Sequence, residues 1–369
     1  MSTKFRRIGV LTSGGDAPGM NAAVRAVTRT AIAHGVEVMA IYEGYKGLIT
    51  ENMKLFGNRD VSNIINLGGT SLYSDRCLEF KTEEGMQKAI ETCRKNQIDG
   101  IIAIGGDGTF RGATDLTARG IPTIGIPGTI DNDITSTDYS IGFDTAMNTV
   151  IEMVDRLRDT CESHARCNVV EVMGRAAGYI ALETGIAVGA TAVICKEVGY
   201  SEEAIAQRIN ELRAAGKRNF LILLAEGVPL DQLKNKTYGE ELTRRLEEAT
   251  GIETRFARLA HVVRGGNPTL RDRLIASQLG EYAVRLLVAG ETNKVVCIQD
   301  DKLTSLDINY ALKLDKMFKE MLDPTYEKKL KPDDLDCYDE ATIAGMKAFC
   351  EKKYDAFKAM YDVADKLGK

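Results

Sequence analysis

Apolar positions along the chain alternate between two patterns. Short continuous runs, Ile8-Gly9-Val10-Leu11-Thr12, Val36 to Tyr42, Gly100 to Ile104 and Ile121 to Ile126, read as buried strands. Between them apolar residues recur at helical spacing: Ala23, Val27, Thr30 and Ala31 in a segment capped by Asn21 and ended by Gly35, and Met86, Ala89, Ile90 and Cys93 in one that starts at Thr82. The second half repeats the alternation. Asn168 to Glu171, Thr191 to Cys195, Phe220 to Ala225 and Arg255 to Val263 predict strands, Ser201 opens a helix carrying Ile205, Ile209 and Leu212, and a long helix runs from about Leu270 to Ala289. Such alternation predicts an α/β fold: two doubly wound α/β domains with mainly parallel sheets and a cleft between them. Beyond a polar, loop-like stretch holding Pro324 and Pro332, Glu340 to Leu367 predicts a last helix with Ile343, Met346, Phe349, Cys350 and Tyr354 on its apolar face.

Composition narrows the functional classes. A chain of 369 residues suits about two domains, and a net charge of -5 argues against a general polyanion binder, so nucleic acid is not an expected partner. Local arginines are left to serve small anions or ion pairs. No secretory leader or membrane-length apolar run is legible, which predicts a cytoplasmic protein with no membrane partner. The eight cysteines include no C-x-x-C pair and only three histidines accompany them, favouring reduced, buried thiols over disulfides or a zinc site.

The loops that leave the strands carry the chemistry. Pro127-Gly128-Thr129-Ile130-Asp131-Asn132-Asp133 gathers a hydroxyl and two carboxylates within one turn, with Gly128 leaving room for a phosphate against the main chain; by itself it also reads as an Asn/Asp turn. Gly105-Gly106-Asp107-Gly108-Thr109 suits a nucleotide phosphate held on the backbone, with Asp107 on the magnesium that screens it. Ser13-Gly14-Gly15-Asp16-Ala17-Pro18-Gly19-Met20 follows the first strand; a tight turn explains it as well as an anion site does, and its spacing is neither a dinucleotide fingerprint nor a Walker A loop. Gly68-Gly69-Thr70-Ser71-Leu72-Tyr73-Ser74-Asp75-Arg76 adds an arginine on a flexible segment.

In this order, and together with Glu171-Val172-Met173-Gly174-Arg175 and His261-Val262-Val263-Arg264-Gly265-Gly266, these motifs resemble the bacterial-type ATP-dependent 6-phosphofructokinases from about Arg7 to Ile298. The resemblance implies transfer of the γ-phosphoryl of ATP to the 1-hydroxyl of fructose 6-phosphate, with Mg²⁺ as cofactor, and a homotetramer with shared sugar-phosphate sites. It implies Asp131 as the base, Thr129 beside it, Gly14 as an amide donor to the transferred group, and Arg76 and Arg175 against its charge. Asp107 and Asp133 fall on the metal side. Tyr45, Cys77, Gly106, Gly108 and Thr109 join the nucleotide site. Met173, Gly174, Glu226, His261 and Arg264 line the sugar, and Arg166 and Arg255 reach its 6-phosphate from a neighbouring subunit. The implied domains are 1–142 with about 263–305 for nucleotide, about 143–262 with 306–335 for sugar phosphate, and a helical extension at about 336–369.

Departures matter as well. Pyrophosphate-using relatives typically carry an aspartate at Gly108 and a lysine at Gly128, so the two glycines favour ATP over pyrophosphate. Cys77 and Lys81 replace a common phenylalanine and arginine, and Ala260 and Val263 a glycine and glutamine. Of the activating-nucleotide site, Arg25, Arg29 and Arg158 match, but Asn58-Arg59, Thr191 and Ala215 do not, which predicts weak or altered allostery. Rival expectations are a pyrophosphate-dependent enzyme of the same fold, an NAD or lipid kinase, and a catalytically silent regulatory subunit. Retention of Asp107, Asp131 and Asp133 speaks against the last.

Overall fold

The computed structural model describes residues 5–226, 228, 238–323, 326 and 328–369; Pro324 lies outside them. The chain builds β1 (Arg7–Ser13), α1 (Met20–Ala33), β2 (Glu37–Ile41), α2 (Tyr45–Thr50), β3 (Met53–Phe56), α3 (Glu83–Lys95), β4 (Gly100–Gly105), α4 (Asp107–Ala118) and β5 (Thr123–Pro127) before leaving the first sheet. A second unit follows: α5 (Phe143–His164), β6 (Cys167–Val172), α6 (Tyr179–Ala187), β7 (Ala192–Ile194), α7 (Glu202–Ala214), β8 (Phe220–Ala225), α8 (Tyr238–Thr250) and β9 (Thr254–Arg258). The chain then returns through α9 (Leu270–Val288), β10 (Lys294–Gln299), β11 (Lys302–Asp307), α10 (Ile308–Leu322) and α11 (Glu340–Leu367).

Two sheets result, as the alternation predicts. The larger runs β11-β10-β5-β4-β1-β2-β3, parallel except for the β2–β3 and β10–β11 pairs; the smaller, β7-β8-β6-β9, is wholly parallel. Strands in the middle of the sheets are buried, β4 and β8 at every residue, because helices cover both faces there. One apolar cluster runs through both units from Ile8 and Val27 to Leu223 and Leu246. Where α1 crosses α9, a Cβ on Gly280 would stand 2.8 Å from that of Ala26, so only glycine lets these backbones approach.

Asp272 pins the junction of the two units. This fully buried carboxylate on α9 accepts from Tyr139 Oη (2.6 Å), Gly142 N (2.7 Å), Thr145 N (2.8 Å) and Thr145 Oγ1 (2.5 Å), tying α9 to the start of α5. Four acceptor bonds match the capacity of one carboxylate.

Three sequence expectations are corrected. Asn21 lies inside α1, which Gly19 caps; its amide instead reaches the carbonyls of Leu67 (3.1 Å), Gly68 and Gly69 (3.3 Å each) while its carbonyl accepts from Ser71 N (2.7 Å). The strand expected over Arg255 to Val263 ends at Arg258, since Ala260 has φ 45° and a 3-10 turn follows over Ala260–Arg264. Gly128 does not face open space: a Cβ there would meet Met20 Cε at 3.1 Å and Ile104 Cγ2 at 3.2 Å, so glycine serves close packing.

Candidate active site

Three of the motifs come together because β1, β4 and β5 are neighbours in register. Ser13 pairs with Gly105 and Gly105 with Pro127, so the loops at 14–20, 106–109 and 128–133 leave the carboxyl ends of adjacent strands, about 5 Å apart. Thr109 Oγ1 donates to Ser13 O at 3.0 Å and Ser74 Oγ to Gly14 O at 2.5 Å, which brings the loop carrying Arg76 against the first motif. The Arg76 side chain is exposed at this rim. Gly14 takes φ +88°, a conformation that favours glycine. Cβ atoms on Gly106 and Gly108 would have nothing within 4 Å, so the space over the amino end of α4 is open.

Asp131 sits at the centre, buried to 4% exposure. Its backbone N–H donates to Thr129 Oγ1 at 3.2 Å, while its Oδ1 has no hydrogen-bond partner. Burial, and then the Asp133 charge, push its carboxyl up to about 6, with Arg264 and Arg175 opposing the rise. Arg264 lies across this loop and the first: its guanidinium stands 3.9 Å from Asp131 Oδ1 and donates to Asp16 O at 3.1 Å.

The smaller sheet supplies the opposite wall. Arg175, in the left-handed region at φ 59°, follows β6; its N–H donates to Glu226 Oε1 at 2.8 Å and its guanidinium is 3.8 Å from Asp107 Oδ1. Met173 is half-buried against the main core, and His261 is exposed on the turn that carries Arg264. Gly174 cannot be exchanged, since a Cβ would lie 2.4 Å from Ala177 O.

Other expected residues fall elsewhere. Tyr45 is buried, stacked on Phe80 at 4.2 Å, with its hydroxyl given to Thr109 O at 2.5 Å, and Cys77 packs onto the same cluster; Tyr45 supports the glycine loop from behind. Arg166 and Arg255 share Glu253, Arg166 at 2.6 Å. Both lie at the amino ends of β6 and β9, about 20 Å of strand from Gly174. Within one chain they do not reach Asp131. At the activating-nucleotide positions, the matching Arg158 donates to Val188 O, and the non-matching Thr191 is buried with its carbonyl accepting from Arg208 at 3.1 Å.

Two cations of the site escaped the sequence reading. Arg111, one turn after Asp107, lies 2.9 Å from its Oδ2, an i,i+4 spacing that the sequence does display. Lys319 on α10 lies 3.4 Å from Asp133 Oδ2. Burial works against its charge, but Asp133, Asp315 and Asp107 raise its affinity for the proton. Burial alone would push Asp107 up, yet Lys319, Arg111 and Arg175 hold it below the usual carboxylate range. Lys319 thus feels both carboxylates expected at a metal. Among the described residues no group of three or more His, Cys, Asp or Glu could hold a metal ion.

The family model for phosphofructokinase matches residues 7–287. The chain belongs to the phosphofructokinase family. It is 51% identical to the ATP-dependent 6-phosphofructokinase of Bacillus subtilis over 304 residues, 82% of this chain and 93% of the relative. With ATP-dependent 6-phosphofructokinase 1 of Clostridium perfringens it shares 47% over 318 residues, 86% and 97% of the two chains. The solved phosphofructokinase of Saccharomyces cerevisiae superposes with a TM-score of 0.80 at 35% identity, covering 86% of this phosphofructokinase-family chain and 47% of the yeast chain. No helix of the described residues is long and apolar enough to cross a membrane.

Proposed function

We infer that this phosphofructokinase-family chain transfers the γ-phosphoryl of ATP to the 1-hydroxyl of fructose 6-phosphate. The observation that carries the reading is the convergence of Asp131, with its unpartnered buried oxygen, and Asp107, at the amino end of a glycine-opened helix, on loops of neighbouring strands. A loose phosphoryl-transfer transition state asks for alignment and positive charge around three equatorial oxygens. Asp131 takes the hydroxyl proton, and Thr129 holds the loop by accepting from its backbone. Gly14 offers its amide, and Arg76 and Arg175 meet charge on the moving group from the two walls. Asp107 and Asp133 would hold Mg²⁺, which supplies charge neutralisation to the nucleotide phosphates. Glu226, His261 and Arg264, with Met173 and Gly174, form the sugar side.

Arg166 and Arg255 fit the 6-phosphate of a neighbouring subunit's sugar, since their own sheet carries them to its far end. That placement supports a homo-oligomer, the homotetramer of the resemblance, in which each site is shared. The seven-stranded unit binds nucleotide and the four-stranded unit sugar phosphate. Open space at Gly108 supports ATP over pyrophosphate. Turnover on fructose 6-phosphate with ATP against that with pyrophosphate tests the donor: ATP-dependent formation of a bisphosphate is expected, and turnover with pyrophosphate alone overturns it.

A further inference from the structure

Residues 134–140 carry the catalytic loop away from Asp131 and Asp133 back into the core. Their backbone is held by elements that come later in the chain. Thr135 N donates to Asp315 Oδ1 of α10 at 2.6 Å, and Asp138 N to Ile298 O at 2.8 Å. β10 adds bonds from Ile298 N to Thr137 Oγ1 and from Gln299 Nε2 to Ser136 O, each at 3.0 Å, and from the last helix Lys353 Nζ of α11 donates to Thr135 O at 2.9 Å and to Thr137 O at 2.7 Å. Thr135 is therefore gripped at its N–H by one helix and at its carbonyl by the next.

Packing beside that grip is incomplete. Next to it lies a small cavity lined by Thr135, Tyr179, Glu197, Lys353 and Phe357, and Thr135 Oγ1, Tyr179 Oη and Glu197 Oε2 are buried there without partners. A loop arm with a void on one side and unpaired polar atoms facing it has room to shift. The helix that supplies Lys353 is itself seated on the four-stranded unit: Phe357 meets Tyr179 edge-on at 5.1 Å, Tyr354 Oη donates to Glu197 O at 3.4 Å and Tyr361 Oη to Val193 O at 3.2 Å. Helices α10 and α11 also lie beyond residues 7–287, the span the family model matches.

We propose that Lys353 is a positioning residue for phosphoryl transfer: through the carbonyls of Thr135 and Thr137 it fixes the catalytic loop, and with it Asp131, to the four-stranded unit. This role rests on the activity proposed above. The ammonium bonds backbone carbonyls, beside a cavity that Asp133 and Lys319 also line; through those carbonyls it sets the distance between the base on one wall and the sugar-binding residues on the other. Misplacement of a reacting group by about 1 Å costs on the order of 10²-fold in rate.

The test uses the full chain carrying Lys353→Met, which keeps the stem and removes the donors, Lys353→Gln, which keeps a shorter donor, and Lys358→Met, which makes the same change at an exposed lysine of the same helix. Expected for Lys353→Met is a kcat per folded enzyme about 10- to 100-fold below wild type, KM for fructose 6-phosphate within about threefold, and faster amide exchange confined to 132–140. Lys353→Gln should fall between and Lys358→Met should match wild type. A kcat per folded enzyme equal to wild type, or exchange that rises evenly along the chain, overturns the proposal; if the Met variant does not fold, the Gln variant is judged by the same two criteria. A wild type without turnover would instead refute the activity, and exchange at 132–140 would still decide whether Lys353 ties the loop.

Discussion

Arg264 stands 3.9 Å from Asp131 Oδ1, the oxygen left without a hydrogen bond. That separation is beyond hydrogen-bond length, so the cation favours the carboxylate while leaving the oxygen's lone pairs for a substrate hydroxyl. Arg264→Met should therefore move the acidic limb of the kcat pH profile to higher pH and lower kcat/KM at pH 7 by about tenfold or more. An unmoved limb would show that Arg264 serves sugar binding alone.

Asp131→Asn keeps the shape and removes the base. Turnover should fall by roughly 10² to 10⁴ with fructose 6-phosphate affinity largely kept, measured by calorimetric binding beside steady-state rates.

The same carboxyl links stability to pH. Its folded pKa, about 6, lies above the ordinary 3.8, so the folded state holds the proton more tightly. Stability from this group is present below the ordinary value and is lost as pH rises through about 6. In nucleotide-free protein, Asp131→Asn should thus be more stable than wild type above pH 6, by on the order of 1–3 kcal/mol, with the difference closing as pH falls below the ordinary value of 3.8; thermal melts across that range check the sign.

Lys319 lies among Asp133, Asp315 and Asp107 with 14% of its side chain exposed. Lys319→Met leaves those carboxylates uncompensated and should destabilise the fold by about 3 kcal/mol, with Asp315→Asn restoring part of the loss in the double variant. Denaturant melts of the four proteins measure the coupling.

Arg166 and Arg255 sit at the wrong end of their sheet for their own Asp131. A forced monomer should lose fructose 6-phosphate affinity by at least tenfold while retaining nucleotide binding, and full sugar affinity in a monomer would refute shared sites.

What the sequence disclosed depended on how local the cause was. The loops at 13–20, 105–109 and 127–133 are legible because each follows an apolar run, and parallel pairing then sets them side by side. The last helix is legible from end to end, with Asp339 capping Thr342 N and Met346 and Cys350 buried. Lys319 and Lys353 are not: each looks like a solvated charge on an amphipathic helix until the fold brings it to residues some two hundred positions earlier. Asn21 misleads for a related reason, since an asparagine near a helix start suggests a cap whether its amide turns inward or along the chain.

The order of strands also bears on how the protein is made. During synthesis β5 emerges early, but its neighbour β10 follows only after the whole four-stranded unit and α9. Until then the free border of β5 is an open template for other chains, so the nascent polypeptide has its most aggregation-prone interval while the ribosome is translating residues 128–293, and slowing elongation there should increase its dependence on chaperones.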